Sequence, residues 1–69
     1  MYIRIRNLRV DHDLTQAKVA KVIHCSQRVY SNYERGTVDI PTYILIALSN
    51  FYNVSVDYIL GCTDSKQRL

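Results

Sequence analysis

Two glycines and one proline in 69 residues are too few to punctuate a loop-rich or disordered chain. The two cysteines, Cys25 and Cys62, cannot build a disulfide framework and suit a reducing compartment as ordinary thiols. Together with His12 and His24 they show no CxxC or HxxxH spacing, so neither a metal nor a cofactor is expected. No apolar run approaches the roughly 20 residues that span a bilayer. Met1-Tyr2-Ile3-Arg4 does not open like a signal peptide. A cytoplasmic chain without a membrane partner is the expectation. A glycine-rich phosphate loop is also missing, and neither histidine has a nucleophile or carboxylate at motif spacing. No enzyme and no small-molecule substrate are expected.

What is present favours an ordered helical globule. Hydrophobic residues make up 48% of the chain, and its length allows one domain near the lower limit for an unassisted core. The net charge of +3 is unevenly spread. Residues 1–35 carry seven basic against three acidic side chains, whereas residues 36–69 carry two against three. The basic excess lies in the first half, as a polyanionic partner would require.

Apolar periodicity divides the chain into five short helices. Residues 3–12 place Ile5, Leu8 and His12 on one side; Asp13-Leu14-Thr15 connects, with Leu14 turned to the core. Thr15 can cap a second helix opening at Gln16, in which Ala17, Val19, Ala20, Val22 and Ile23 recur at helical spacing. After His24-Cys25, Ser26 is a cap for a third helix over residues 27–35, striped by Val29, Tyr30 and Tyr33 and stopped by Gly36. Pro41 suits the first position of a fourth helix ending near Tyr52, since its missing N–H would be unpaired there. Leu45, Leu48 and Tyr52 form its core stripe, with Ile44 or Phe51 beside it. Ser55 caps a fifth, residues 56–60, ended by Gly61. Residues 1–61 read as the domain and 62–69 as a short, flexible tail.

Two helices joined by a tight turn, the second beginning in polar side chains, form the helix-turn-helix pattern that places its second helix in the major groove of DNA. The longer set of motifs is more specific: Leu8-Arg9, Leu14-Thr15-Gln16, Ala20, Ser26-Gln27, Tyr33-Glu34-Arg35-Gly36, Ile40-Pro41, and residues 53–61, NVSVDYILG. In order and spacing these resemble the phage repressor/Cro-type (XRE-like) helix-turn-helix family of DNA-binding proteins. The resemblance implies an all-α, compact five-helix bundle of the lambda-repressor-like kind that inserts its third helix into the major groove. His24 and Cys25 depart from the family's usual Gly or Asn and small aliphatic residue at the turn, and Asp39 stands in a loop that is often basic.

In such a helix the first side chains and those one turn later reach base edges. Gln27, Arg28 and Asn32 are the expected readers, with Ser31 and Val29 secondary. Gln and Asn can pair with adenine, and Arg with guanine. Val29 either touches a thymine methyl or packs locally. Thr15 and Gln16, with Lys18, Arg35 and Thr37, are the expected phosphate contacts, which set register without reading sequence. The positions of Arg9 and Glu34 match an ion pair that the family uses to tie its first helix to the end of the third. Tyr30, Tyr33, Tyr52 and Tyr58 fall on inward faces and read as core, not as stacking platforms.

One stripe is left over. Tyr43, Ile46, Ala47 and Asn50 follow helical spacing on a second face of the fourth helix, and a homodimer using them would read an inverted-repeat operator. The function expected from all of this is a sequence-specific double-stranded DNA-binding regulator, most simply a repressor. The competing reading is a protein-interaction module, antitoxin-like or accessory, whose main contact is that same stripe.

Overall fold

Three hydroxyls set where helices begin. Thr15 Oγ1 accepts a bond from Lys18 N at 3.1 Å, Ser26 Oγ from Val29 N at 3.1 Å, and Ser55 Oγ from Tyr58 N at 3.0 Å. Each satisfies an N–H that the first helical turn would leave unpaired. In a computed structural model that describes residues 3–67, the resulting elements are α1 (Ile3–Asp11), α2 (Gln16–Val22), α3 (Gln27–Arg35), α4 (Thr42–Tyr52) and α5 (Val56–Leu60). Among the described residues there is no strand, and none of the helices is long and apolar enough to cross a membrane. The all-α, five-helix expectation holds.

Helix ends follow from residues that tolerate left-handed backbone. Gly36 closes α3 at φ 74°, Gly61 closes α5 at φ 81°, and Asn53 closes α4 at φ 56°. Pro41 differs from expectation. It stays extended as the N-cap, outside the helix, with its carbonyl accepting from Ile44 N and Leu45 N.

The core draws on every element: Ile5 and Leu8 from α1, Val19 and Ala20 from α2, and Tyr30 and Tyr33 from α3. Ile44, Leu45, Leu48 and Tyr52 come from α4 and Ile59 from α5, with Ile23, Ile40 and Val54 from the connections. Leu14 and Tyr58 pack partly against it. Ile44, not Phe51, is the fourth-helix residue that turns inward. Ala17, Val22 and Val29 prove exposed despite their apolar spacing, because each stands on the outer side of its short helix. His12 is also exposed: it sits past the end of α1, its Nδ1 at 2.8 Å from Leu8 O and its ring tilted on Tyr52.

Residues 62–67, expected to fray, are tied back onto the bundle. Arg4 Nη1 donates to Thr63 O at 3.0 Å and Tyr58 O at 3.3 Å, while Nη2 meets Asp64 Oδ1 at 2.7 Å. Its guanidinium lies 4.1 Å above the Tyr58 ring, and Ser55 N donates to Lys66 O at 3.1 Å. These polar residues carry backbone partners for α1 and α5, a role that hydrophobic patterning does not register.

The turn between α2 and α3 holds a measurable strain. His24 is exposed and has φ 59°, a region that costs an ordinary L residue about 1 kcal/mol or more. His24→Gly should therefore raise stability by about 0.5–1 kcal/mol, seen as a higher urea midpoint at unchanged slope. An equal or lower midpoint would mean that this turn stores no strain.

Candidate nucleic-acid interface

α3 has two faces with different chemistry. Tyr30, Tyr33 and Glu34 point into the bundle and are buried. Gln27, Arg28, Ser31, Asn32 and Arg35 fall on the other side, within an arc of about 140° at 100° per residue. Gln27, Arg28 and Arg35 are exposed, while Ser31 and Asn32 are half-buried at their base. Val29 stands beside them at 39% exposure, outside the core. Among the described residues the side chains of Gln27, Arg28 and Ser31 have no hydrogen-bonded or ionic partner, so their polar groups are open to a ligand.

α3 is held by a buried polar junction centred on Glu34. Arg9 of α1 grips its carboxylate with two donors, Nε to Oε2 at 2.7 Å and Nη2 to Oε1 at 3.2 Å. The remaining end of the guanidinium donates to Leu14 O at 3.0 Å. Gln16, at the start of α2, donates its amide to Glu34 Oε1 at 3.2 Å. One carboxylate thus joins three helices. Only 4% of the Glu34 side chain and 15% of that of Arg9 is accessible. Burial pushes the Glu34 carboxyl up, but the Arg9 guanidinium, the neighbouring Tyr30 hydroxyl and the Gln16 amide outweigh it and hold the group below its ordinary range. The bond to Glu34 likewise raises the Arg9 guanidinium. The hydroxyls of Tyr30 and Tyr52 are enclosed without an acceptor at good geometry. Burial and then the Glu34 charge push Tyr52 up to about 12.

The residues expected at phosphates are placed variously. Thr15 uses an oxygen lone pair for its cap and keeps its hydroxyl proton. Lys18 is exposed, its side chain without a partner among the described residues. Gln16 turns its amide toward Glu34. Thr37 Oγ1 donates to Asn32 O, as does Thr37 N, which directs that hydroxyl along α3. Arg35 Nη2 donates to Asn32 Oδ1 at 2.5 Å. Sequence reasoning missed these bonds of Gln16, Thr37 and Arg35, although i, i+3 spacing was a sufficient signal for Asn32 and Arg35. Cys25 is half-buried, and burial raises its thiol. Among the described residues no cluster of His, Cys, Asp and Glu could hold a metal ion.

On α4, Tyr43 is 71% and Ile46 50% exposed, and Asn50 is exposed beside them. Ala47, expected on the same outer stripe, is half-buried and packs against the core.

Comparison with known proteins accords with this geometry. A family model described as Helix-turn-helix matches residues 5–59. The chain is 43% identical over 61 residues to the uncharacterised HTH-type transcriptional regulator YobD of Bacillus subtilis, covering 88% of this chain and 54% of that protein. It is 41% identical over 58 residues to the HTH-type transcriptional regulator ImmR of the same organism, covering 84% and 46%. The chain therefore spans about half the length of the curated relatives it matches. Among solved structures it resembles the P22 c2 repressor in complex with synthetic operator 9T, with a TM-score of 0.76 and 32% identity, over 81% of this chain and 85% of that one. With the family model spanning all five helices and an operator-bound repressor sharing their arrangement, the chain belongs to the XRE-type helix-turn-helix family.

Proposed function

We propose that this chain is a sequence-specific double-stranded DNA-binding transcriptional regulator, a repressor acting in the cytoplasm, which lays α3 in the major groove. The observation that carries this reading is the division of α3: a buried face fixed by Tyr30, Tyr33 and Glu34, and a projecting face of Gln27, Arg28, Ser31 and Asn32. Gln27 and Arg28 open the helix and meet base edges first, with Val29 free to touch a thymine methyl. Thr15, Lys18 and Arg35 hold phosphates and set the register, and Gln16 and Thr37 join them from their present bonds. The relatives named as transcriptional regulators, and the operator bound by the P22 c2 repressor, support the same reading.

Two copies joined through Tyr43, Ile46 and Asn50, with Ala47 at the edge of the interface, would present two α3 helices to half-sites about 34 Å apart. Selection of bound sites from random duplex DNA tests both points: the expected product is an inverted repeat. If Lys18 and Arg35 of each protomer neutralise four phosphates, affinity for that repeat should fall roughly 100-fold between 50 and 200 mM salt. No enriched sequence, together with salt-insensitive binding, would favour a protein-interaction module instead.

A further inference from the structure

The bond between Asn32 and Arg35 changes what Asn32 can say to a base. A free asparagine amide offers adenine both halves of a bidentate pair, its oxygen to N6 and its NH2 to N7. Here Arg35 Nη2 donates to Asn32 Oδ1 at 2.5 Å. Arginine has donors only, so the bond must engage the amide oxygen whichever way the amide is turned. The backbone of Asn32 is held as well, because its carbonyl accepts from both Thr37 N and Thr37 Oγ1 at the end of α3. Arg9 and Gln16 already occupy the buried Glu34 carboxylate, and the bond that Arg35 makes is to Asn32.

We propose that Arg35 is a positioning residue which fixes the Asn32 amide with its NH2 toward the groove, so that Asn32 selects guanine in place of adenine. This rests on the reading of α3 as the groove helix. The pair presents one continuous donor surface, the Asn32 NH2 beside the remaining guanidinium N–H groups. Guanine answers it with two acceptors, O6 and N7. Adenine would bring its N6 amino group, itself a donor, against the guanidinium that covers Oδ1. The other nitrogens of Arg35 remain able to take a phosphate, which would steady the lock when DNA is bound.

The test is site selection from random duplex DNA with wild type, Arg35→Ala and Asn32→Asp, each checked for wild-type melting. At one position the wild type should prefer guanine over adenine about 10-fold. Arg35→Ala frees the amide oxygen and should erase or reverse that preference while other positions keep theirs. Asn32→Asp keeps the bond from Arg35 but has no donor, and should lose the guanine preference at the same position. It decides the question alone if Arg35→Ala does not fold. A uniform loss of affinity in Arg35→Ala with unchanged preferences overturns the lock and leaves the DNA reading intact, as does wild-type preference for adenine at the position Asn32→Asp affects. If wild type enriches no sequence, the DNA reading falls and the lock falls with it.

Discussion

Arg9→Ala should destabilise the protein by about 3–5 kcal/mol, because it leaves the Glu34 carboxylate buried without its ion-pair partner. A 69-residue chain has only about 3–10 kcal/mol of total stability, so the variant should lose roughly a third of it or more. The pH dependence makes this specific. In the wild type Glu34 is held below its ordinary range. Its contribution is therefore present above the unfolded value of about 4.3 and is lost as pH falls through the lower, folded value. Without Arg9, burial acts on Glu34 with less opposition and its carboxyl rises. Its sign then reverses, and Arg9→Ala should gain stability on acidification from pH 7 to 5, where the wild type should change little. Urea denaturation at the two pH values measures both. Wild-type midpoints for Arg9→Ala would mean that the junction does not hold α1, α2 and α3 together.

The second large effect concerns binding, not folding. Arg28→Ala should weaken binding to the selected duplex by about 1–3 kcal/mol, roughly 5- to 150-fold, and relax preference at one base pair. Arg28 is exposed and has no partner among the described residues, so melting should be unchanged. Lys18→Ala should behave differently: removing a phosphate-binding ammonium weakens all sequences alike and lowers the salt slope. Fluorescence anisotropy on single-base variants of the duplex separates the two. An Arg28→Ala protein with full affinity and full preference would remove Arg28 from the interface.

Much of this was legible in the chain because local chemistry and tertiary structure agree. Thr15, Ser26 and Ser55 sit where caps must be, Gly36 and Gly61 where helices must stop, and Ile5, Leu8, Val19, Tyr30 and Leu48 at positions that packing buries. Periodicity failed at Ala17, Val22 and Val29, since a helix of seven or nine residues buries a narrow stripe and apolar side chains beside it stay in solvent. It was also silent on polar bonds between distant segments. Nothing in the sequence around Arg4 announces a clasp on Thr63 and Asp64 some sixty residues away. At the site, the exposed face of α3 was readable as a set. The reading missed that Asn32 already has a partner at i, i+3 spacing, and that Gln16 and Thr37 have partners which no spacing signals; these bonds decide what each still offers to DNA.

The proposed contact between the projecting face of α3 and base edges in the major groove can be tested at a single atom. The most direct measurement replaces with 7-deazaguanine the guanine whose preference Arg28→Ala loses, removing only the N7 acceptor, and determines affinity for both proteins on both duplexes. Wild type should lose about 10-fold and Arg28→Ala almost nothing, a coupling between that side chain and that atom. Equal losses in the two proteins, so that the changes act independently, would contradict the claim.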